Sequence, residues 1–196
     1  MSGHPVPLLP FPPVSGIAPC LCAWTDLKSG LKPFTTDGHL HIMPAMTLPV
    51  SVQIRPMTRD DLDGVLAIEH VSCPVPWKRE HFIQEIHSHI CFPHVAEING
   101  SIAGFLCLSS LFEEAQILNI AVAPEFRRNG VARMLMELAI RLAREKGAES
   151  LVLEVRESNA AAIALYVGYG FQRYFIRKGY YEGKEDAILM ERSLVD

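Results

Sequence analysis

The sequence has no apolar run approaching the roughly 20 residues that a bilayer-spanning helix needs. It also has no basic excess, because 18 Lys and Arg stand against 22 Asp and Glu for a formal net charge of -4. The first absence argues against a membrane protein. The second argues against broad nucleic-acid binding, which calls for a basic face, but it suits a basic peptide as partner. Cysteine is scarce and odd in number: Cys20, Cys22, Cys73, Cys91 and Cys107 lack a framework spacing and read as reduced thiols of a cytoplasmic protein. His87, His89, Cys91 and His94 match no structural zinc pattern, so no metal is expected. Gly-Lys-Ser/Thr after a glycine-rich turn is missing, as is the three-glycine dinucleotide fingerprint.

Proline is unevenly spread. Nine of the 14 prolines precede Ser51, too many for a helix or a central strand there. That stretch has neither the basic start nor the unbroken apolar segment of a secretory signal. Residues 1–50 are therefore expected to form a disordered or loosely attached extension, with Met43 and Met46 as alternative starts. An intact mass equal to the whole chain would reject those starts.

From Ser51 to Asp196 the pattern is that of one folded domain, and 49% hydrophobic against 20% charged residues supplies a core. Val52 to Arg55 reads as a strand. Thr58 with Asp61 three residues on resembles a capping box for a helix carrying Leu62, Val65, Leu66 and Ile68. A second helix is predicted after Pro76-Trp77, packing Phe82, Ile83 and Ile86. Two strands, 94–98 and 101–108, flank Asn99-Gly100, a dipeptide suited to a two-residue hairpin. A strand over 115–122 follows, and Pro124 ends it. Gly130 opens a helix with Val131, Leu135, Leu138 and Leu142 on one stripe, stopped by Gly147. A strand over 151–155, a short helix from Ser158 or Asn159 to Val167, and strands over 171–177 and 187–194 complete the order. A polar loop with Tyr180 and Tyr181 is expected between the last two. Strand-helix-strand units imply parallel pairing and hairpins antiparallel pairing, so the fold class is α/β (α+β) with a mixed sheet.

Arg127-Arg128-Asn129-Gly130-Val131-Ala132 lies between a strand and a helix start. Such a start exposes unpaired N–H groups and partial positive charge, and an unobstructed glycine lets an anion approach. A solvated basic loop would have the same composition. Glu154 stands in an otherwise apolar strand, where a carboxylate must be paired with a cation, open to solvent, or used. Tyr166, on the next helix, suits a core tyrosine equally well.

The combined strings discriminate. Asn119-Ile-Ala-Val122, Pro124 and Arg127-Arg-Asn-Gly-Val-Ala-Arg133 resemble motif A of the GNAT acetyltransferase superfamily, in its Gly-x-Ala form. Leu153-Glu-Val-Arg-Glu-Ser-Asn-Ala-Ala-Ala-Ile-Ala-Leu-Tyr166 resembles the RimI-type ribosomal-protein alanine N-acetyltransferases within it. The resemblance covers 51–196 and implies the GNAT fold with acetyl-CoA as cosubstrate. It implies that Arg127, Arg128, Asn129, Gly130, Val131, Ala132 and Arg133 hold the pyrophosphate, and that Ile120, Ala121 and Val122 meet the pantetheine arm. It further implies that Asn159 contacts CoA, that Glu154 is the general base and Tyr166 the general acid, and that Trp77 and Tyr180 line the acceptor side. The implied acceptor is a protein N-terminus, an alanine of a small-subunit ribosomal protein, in the cytoplasm. A small amine as acceptor, or a non-catalytic acetyl-CoA sensor, remains open. Val167-Gly168-Tyr169-Gly170-Phe171 departs from the family's usual helix end and predicts a frayed or bent terminus.

Overall fold

The computed structural model describes residues 20–21 and 51–195. A short strand β1 (Cys20–Leu21) falls within the proline-rich extension, whose remainder lies outside the described residues. β2 (Val52–Pro56), α1 (Leu62–Ser72) and α2 (Arg79–His87) follow, then β3 (His94–Ile98), β4 (Ser101–Leu111) and β5 (Glu114–Val122). α3 (Val131–Glu145), β6 (Ser150–Arg156), α4 (Ala160–Gly168), β7 (Gln172–Tyr181) and β8 (Glu185–Ser193) complete the chain.

Local chemistry accounts for the boundaries. Thr58 donates its N–H and hydroxyl to Asp61 Oδ2 at 2.7 and 2.9 Å, opening a single helical turn that leads into α1. Asn99 and Gly100 take φ values of 50° and 80°, as a tight hairpin requires. α4 ends without fraying: Gly170 adopts φ 83° and the Phe171 N–H returns to the Tyr166 carbonyl at 3.1 Å.

The strands form one mixed sheet in the order β2-β3-β4-β5-β6-β8-β7, with β1 added to β5. One core packs α3 and α4 against it, centred on Leu106, Ile117, Leu135, Met136, Leu153 and Tyr166. A second packs α1 and α2 around Trp77, Phe82, Phe105 and Leu118. No helix among the described residues is long and apolar enough to cross a membrane.

Three expectations need correction. β4 runs to Leu111 rather than Leu108. Tyr180 and Tyr181 belong to β7 rather than to a loop, because Tyr181 pairs with Glu185 across a tight turn and a register shift after Arg177 absorbs the glycine. Cys91 and Cys107 are buried free thiols, but Cys73 is disulfide-bonded, contrary to the expectation of five reduced thiols.

Candidate active site

The site begins where two strands part. β5 and β6 pair in parallel only from Glu114↔Ser150 to Ile117↔Leu153. On the other side of β5, Cys107 pairs with Asn119 while Leu108 pairs with Ile117, so Leu118 is the extra residue of a bulge. A bulge bends its strand and increases local twist. Here it swings residues 119–122 away from β6 and opens a cleft.

Antiparallel alternation decides which groups face that cleft. The Ala123 N–H donates to the Ala103 carbonyl at 2.9 Å, which makes 103 and 123 a hydrogen-bonded pair. The adjacent pair Gly104↔Val122, and Leu106↔Ile120 two residues on, are then non-bonded pairs. Ile120 and Val122 therefore turn their backbone groups away from β4 toward the cleft, whereas Ala121 turns its own to Phe105. The edge takes an extended chain: β1 pairs there in parallel, with Cys20 opposite Asn119 and Leu21 opposite Ile120. Close packing behind it needs Gly104, where an added Cβ would meet the Ala121 carbonyl oxygen at 2.7 Å.

The turn 127–130 follows the end of β5 and leads into α3. Gly130 caps α3 at φ 81° and Arg128 holds φ 67°, while Arg128, Asn129 and Gly130 are exposed. The first backbone bond of α3 runs from the Met134 N–H to the Gly130 carbonyl at 3.1 Å, so the N–H groups of Val131, Ala132 and Arg133 have no intrahelical acceptor. The helix cap uses no side chain. Arg127 turns inward instead and donates to the Val122 carbonyl at 3.3 Å, tying the turn to the end of β5.

Glu154 is buried on β6, with its Oε1 2.9 Å from Arg177 Nη1. Its Oε2 is buried without a hydrogen-bond partner. Burial raises its pKa above the usual carboxylate range, while the Arg177 charge and the Tyr180 hydroxyl pull it back. Glu154 is thus ion-paired at one oxygen and without a hydrogen bond at the other. The Arg177 guanidinium lies 4.6 Å from the Tyr180 ring centroid, and Tyr180 stacks edge-on with Tyr181. Burial and the nearby Glu154 push the Tyr180 hydroxyl up to about 12, so it stays protonated.

Tyr166 is buried on α4 against Phe171, at 5.9 Å between ring centroids. Asn159 caps α4, its Oδ1 accepting from the Ala162 N–H at 3.2 Å. Trp77 is buried between His81 and Phe82, so its indole serves the core. The residue that holds its backbone is Glu69, whose Oε1 accepts the Trp77 N–H at 2.9 Å. Glu69 and Arg177 were not singled out from the sequence. The signal for Glu69 was available, because Leu62, Val65, Glu69 and Ser72 follow helical spacing and all are buried. His87 and His94 each place Nδ1 against a backbone carbonyl, of Ile83 and Phe92 respectively. Among the described residues, no three His, Cys, Asp or Glu side chains gather as a metal site.

Comparison with known proteins adds names to this geometry. The acetyltransferase (GNAT) family model matches residues 62–171. The ribosomal protein bS18-alanine N-acetyltransferase of Escherichia coli K12 is 38% identical over 133 residues, covering 66% of this chain and 89% of that protein. The crystal structure of the ribosomal-protein-S18-alanine N-acetyltransferase from Escherichia coli superposes with TM-score 0.69 at 35% identity, over 74% of this chain and 96% of that one. A GNAT family acetyltransferase from Elizabethkingia anophelis, solved with acetyl-CoA bound, gives TM-score 0.59 at 26% identity, over 72% and 97% of the two chains.

Proposed function

The chain belongs to the GNAT acetyltransferase family and is an N-acetyltransferase; from that premise we propose that it acetylates the N-terminal α-amino group of a protein, an alanine of a small-subunit ribosomal protein, in the cytoplasm. The observation that carries this reading is a buried carboxylate, Glu154, with one oxygen lacking a hydrogen-bond partner, on β6 next to β5, whose Ile120 and Val122 backbone turns away from β4. The names of the similar bS18-alanine enzymes support the choice of acceptor.

Acetyl-CoA, when bound, supplies an activated thioester carbonyl. The groups that would hold it are the N–H groups of Val131, Ala132 and Arg133 with the surrounding turn Arg127 to Gly130, the backbone of Ile120 and Val122, and Asn159 at the start of α4. Ala121 contributes by spacing those two backbones. The outward N–H of Val122 donates to negative charge developing on the carbonyl oxygen, a contribution of about 3–4 kcal/mol for a well-placed donor.

Glu154 Oε2 takes the proton that the attacking amine must lose. An α-amino group with pKa about 8 is neutral roughly a tenth of the time at physiological pH, whereas a lysine with pKa about 10.4 is neutral less than about a thousandth of it. A carboxylate raised by burial therefore serves an N-terminus with a modest driving force. The Tyr166 hydroxyl gives a proton to the departing sulfur. Tyr180, protonated and beside Glu154, flanks the acceptor entry from the β7–β8 side.

Incubation of the full chain with acetyl-CoA and synthetic peptides beginning with Ala, together with free polyamines and aminoglycosides, tests the reading by mass analysis of the amines. Acetylation of the peptide α-amine alone is expected. Acetylation of the free amines and not the peptides would overturn the acceptor; acetyl-CoA binding without transfer to any amine would make the protein a sensor.

A further inference from the structure

Glu69 has no solvent exposure, lies on α1 and takes no part in the proton transfers above. Its two oxygens accept from two other parts of the fold. Oε1 takes the Trp77 N–H at 2.9 Å, and Oε2 takes the Asn119 side-chain amide at 3.2 Å. Trp77 is the penultimate residue of the stretch 73–78 that joins α1 to α2. Pro74 and Pro76 in that stretch carry no N–H, so the Trp77 amide is one of its few backbone donors. Asn119 is also fully buried and directly precedes Ile120, the first residue whose backbone faces the cleft. One carboxylate therefore sets the distance between the α1–α2 connection and the open edge of β5.

Burying this carboxylate has a cost that a packing residue would avoid. Desolvation lifts Glu69 to about 7 despite the two donors. A hydrophobic side chain of similar volume would fill the same space without that penalty, and buried charges are weak contributors to stability. What the carboxylate supplies instead is geometry, because two charge-assisted hydrogen bonds fix direction as well as distance. Two further polar atoms of the same cluster, Asn119 Oδ1 and Trp77 Nε1, are buried without hydrogen-bond partners. Polar atoms of both signs thus surround the junction of connection and cleft.

We infer that Glu69 is a positioning residue for the acceptor: through Trp77 and Asn119 it holds the α1–α2 connection against the β5 edge, so that the incoming amine meets the acetyl group at a fixed distance. This rests on the proposed acetyl transfer and adds a determinant on the acceptor side. It predicts a split in kinetic constants that general loosening would not produce.

The test measures acceptor KM, kcat and acetyl-CoA Kd for Glu69→Ala, Glu69→Gln and Asn119→Ala in the full chain, with circular dichroism and melting as folding controls. Loss of a hydrogen bond to a charged partner predicts an acceptor KM raised about tenfold in Glu69→Ala. The acetyl-CoA Kd should stay within about twofold. Glu69→Gln keeps a carbonyl for the Trp77 N–H and should return the acceptor KM to within about threefold of the parent. If Glu69→Ala shows no cooperative melting, Asn119→Ala, which cuts one arm and leaves α1 intact, is read in its place and should move acceptor KM the same way. An acceptor KM unchanged in the folded variant, or acceptor KM and acetyl-CoA Kd rising together, overturns the inference. If the parent chain turns over free amines and no peptide, the acceptor reading fails separately, and the same constants are read on the amine it uses.

Discussion

Glu154 is held at one oxygen by Arg177, while its Oε2 is buried without a hydrogen-bond partner. The ion pair with Arg177 orients the carboxylate, and burial raises its pKa above the usual carboxylate range, the direction that favours the base role proposed for it. Glu154→Gln preserves shape but removes the base, and kcat should fall by about 10²–10⁴. Acetyl-CoA affinity should hold within about twofold, since no cofactor contact is assigned to this side chain; calorimetry and steady-state rates check both. A kcat within threefold of the parent would remove Glu154 from the chemistry. Arg177 makes a finer prediction. Its charge lowers the Glu154 pKa against the larger, raising effect of burial. Arg177→Gln withdraws the lowering influence, so the carboxylate keeps its proton to higher pH. The acidic limb of the kcat/KM profile should therefore move to higher pH. A limb that moves downward would show that another group sets it.

At the scale of elements, the proposed grip of α3 and its preceding turn on the cofactor's anionic end works through backbone shape. Arg128 occupies the left-handed region at φ 67°, which costs a non-glycine residue about 1–2 kcal/mol. Arg128→Gly relieves that conformation and deletes an exposed cation. The melting temperature should hold or rise by up to about 2–4 °C, while acetyl-CoA binding weakens and loses part of its salt dependence. A variant with unchanged affinity would assign the anion to the backbone N–H groups alone. Gly130 has open space around it, so a Cβ there would clash with nothing; its φ of 81° alone makes Gly130→Ala unfavourable.

The elements themselves were legible in the sequence because helix and strand periodicities persist over whole turns and whole strands. Val131, Leu135 and Leu138 mark the buried stripe of α3, and Asn99-Gly100 marks a hairpin. The opening of the cleft was not legible. It depends on the bulge at Leu118 and on where β5 stops pairing with β6, and both are properties of register between segments distant in sequence. Glu154 and Tyr166 could be singled out because a long string carried them. Arg177, 23 positions beyond Glu154, meets it only when β7 folds back beside β8. Glu69 was passed over beside Ile68, although its spacing from Leu62 and Val65 put it on the buried stripe. Tyr180 and Tyr181 looked like loop residues because Gly179 and Gly183 surround them, and cross-strand pairing with Glu185 overrode that local signal.

At the scale of the whole molecule, the described part of the extension meets the sheet at the open edge of β5. β1 lies along β5 at Asn119 and Ile120. Those are the positions at which the proposed pantetheine contacts begin, and a backbone group facing the cleft can serve only one strand-like partner at a time. A segment of the same chain also competes intramolecularly, at an effective concentration independent of protein concentration. If the pairing is populated in half of the molecules or more, at most half are competent, and the apparent acetyl-CoA Kd is at least about twice the intrinsic one. Proline lacks the N–H that a central strand position needs, so Leu21→Pro in the full chain should release β1. The acetyl-CoA Kd should then fall at least about twofold, without change in the melting of the domain. A chain beginning at Ser51 retains β2 to β8 and α1 to α4 and should show the same tightening. An unchanged Kd in both variants would mean that β1 does not compete for the cleft in solution. Tightening in the truncated chain alone would place the competing contact elsewhere in the extension.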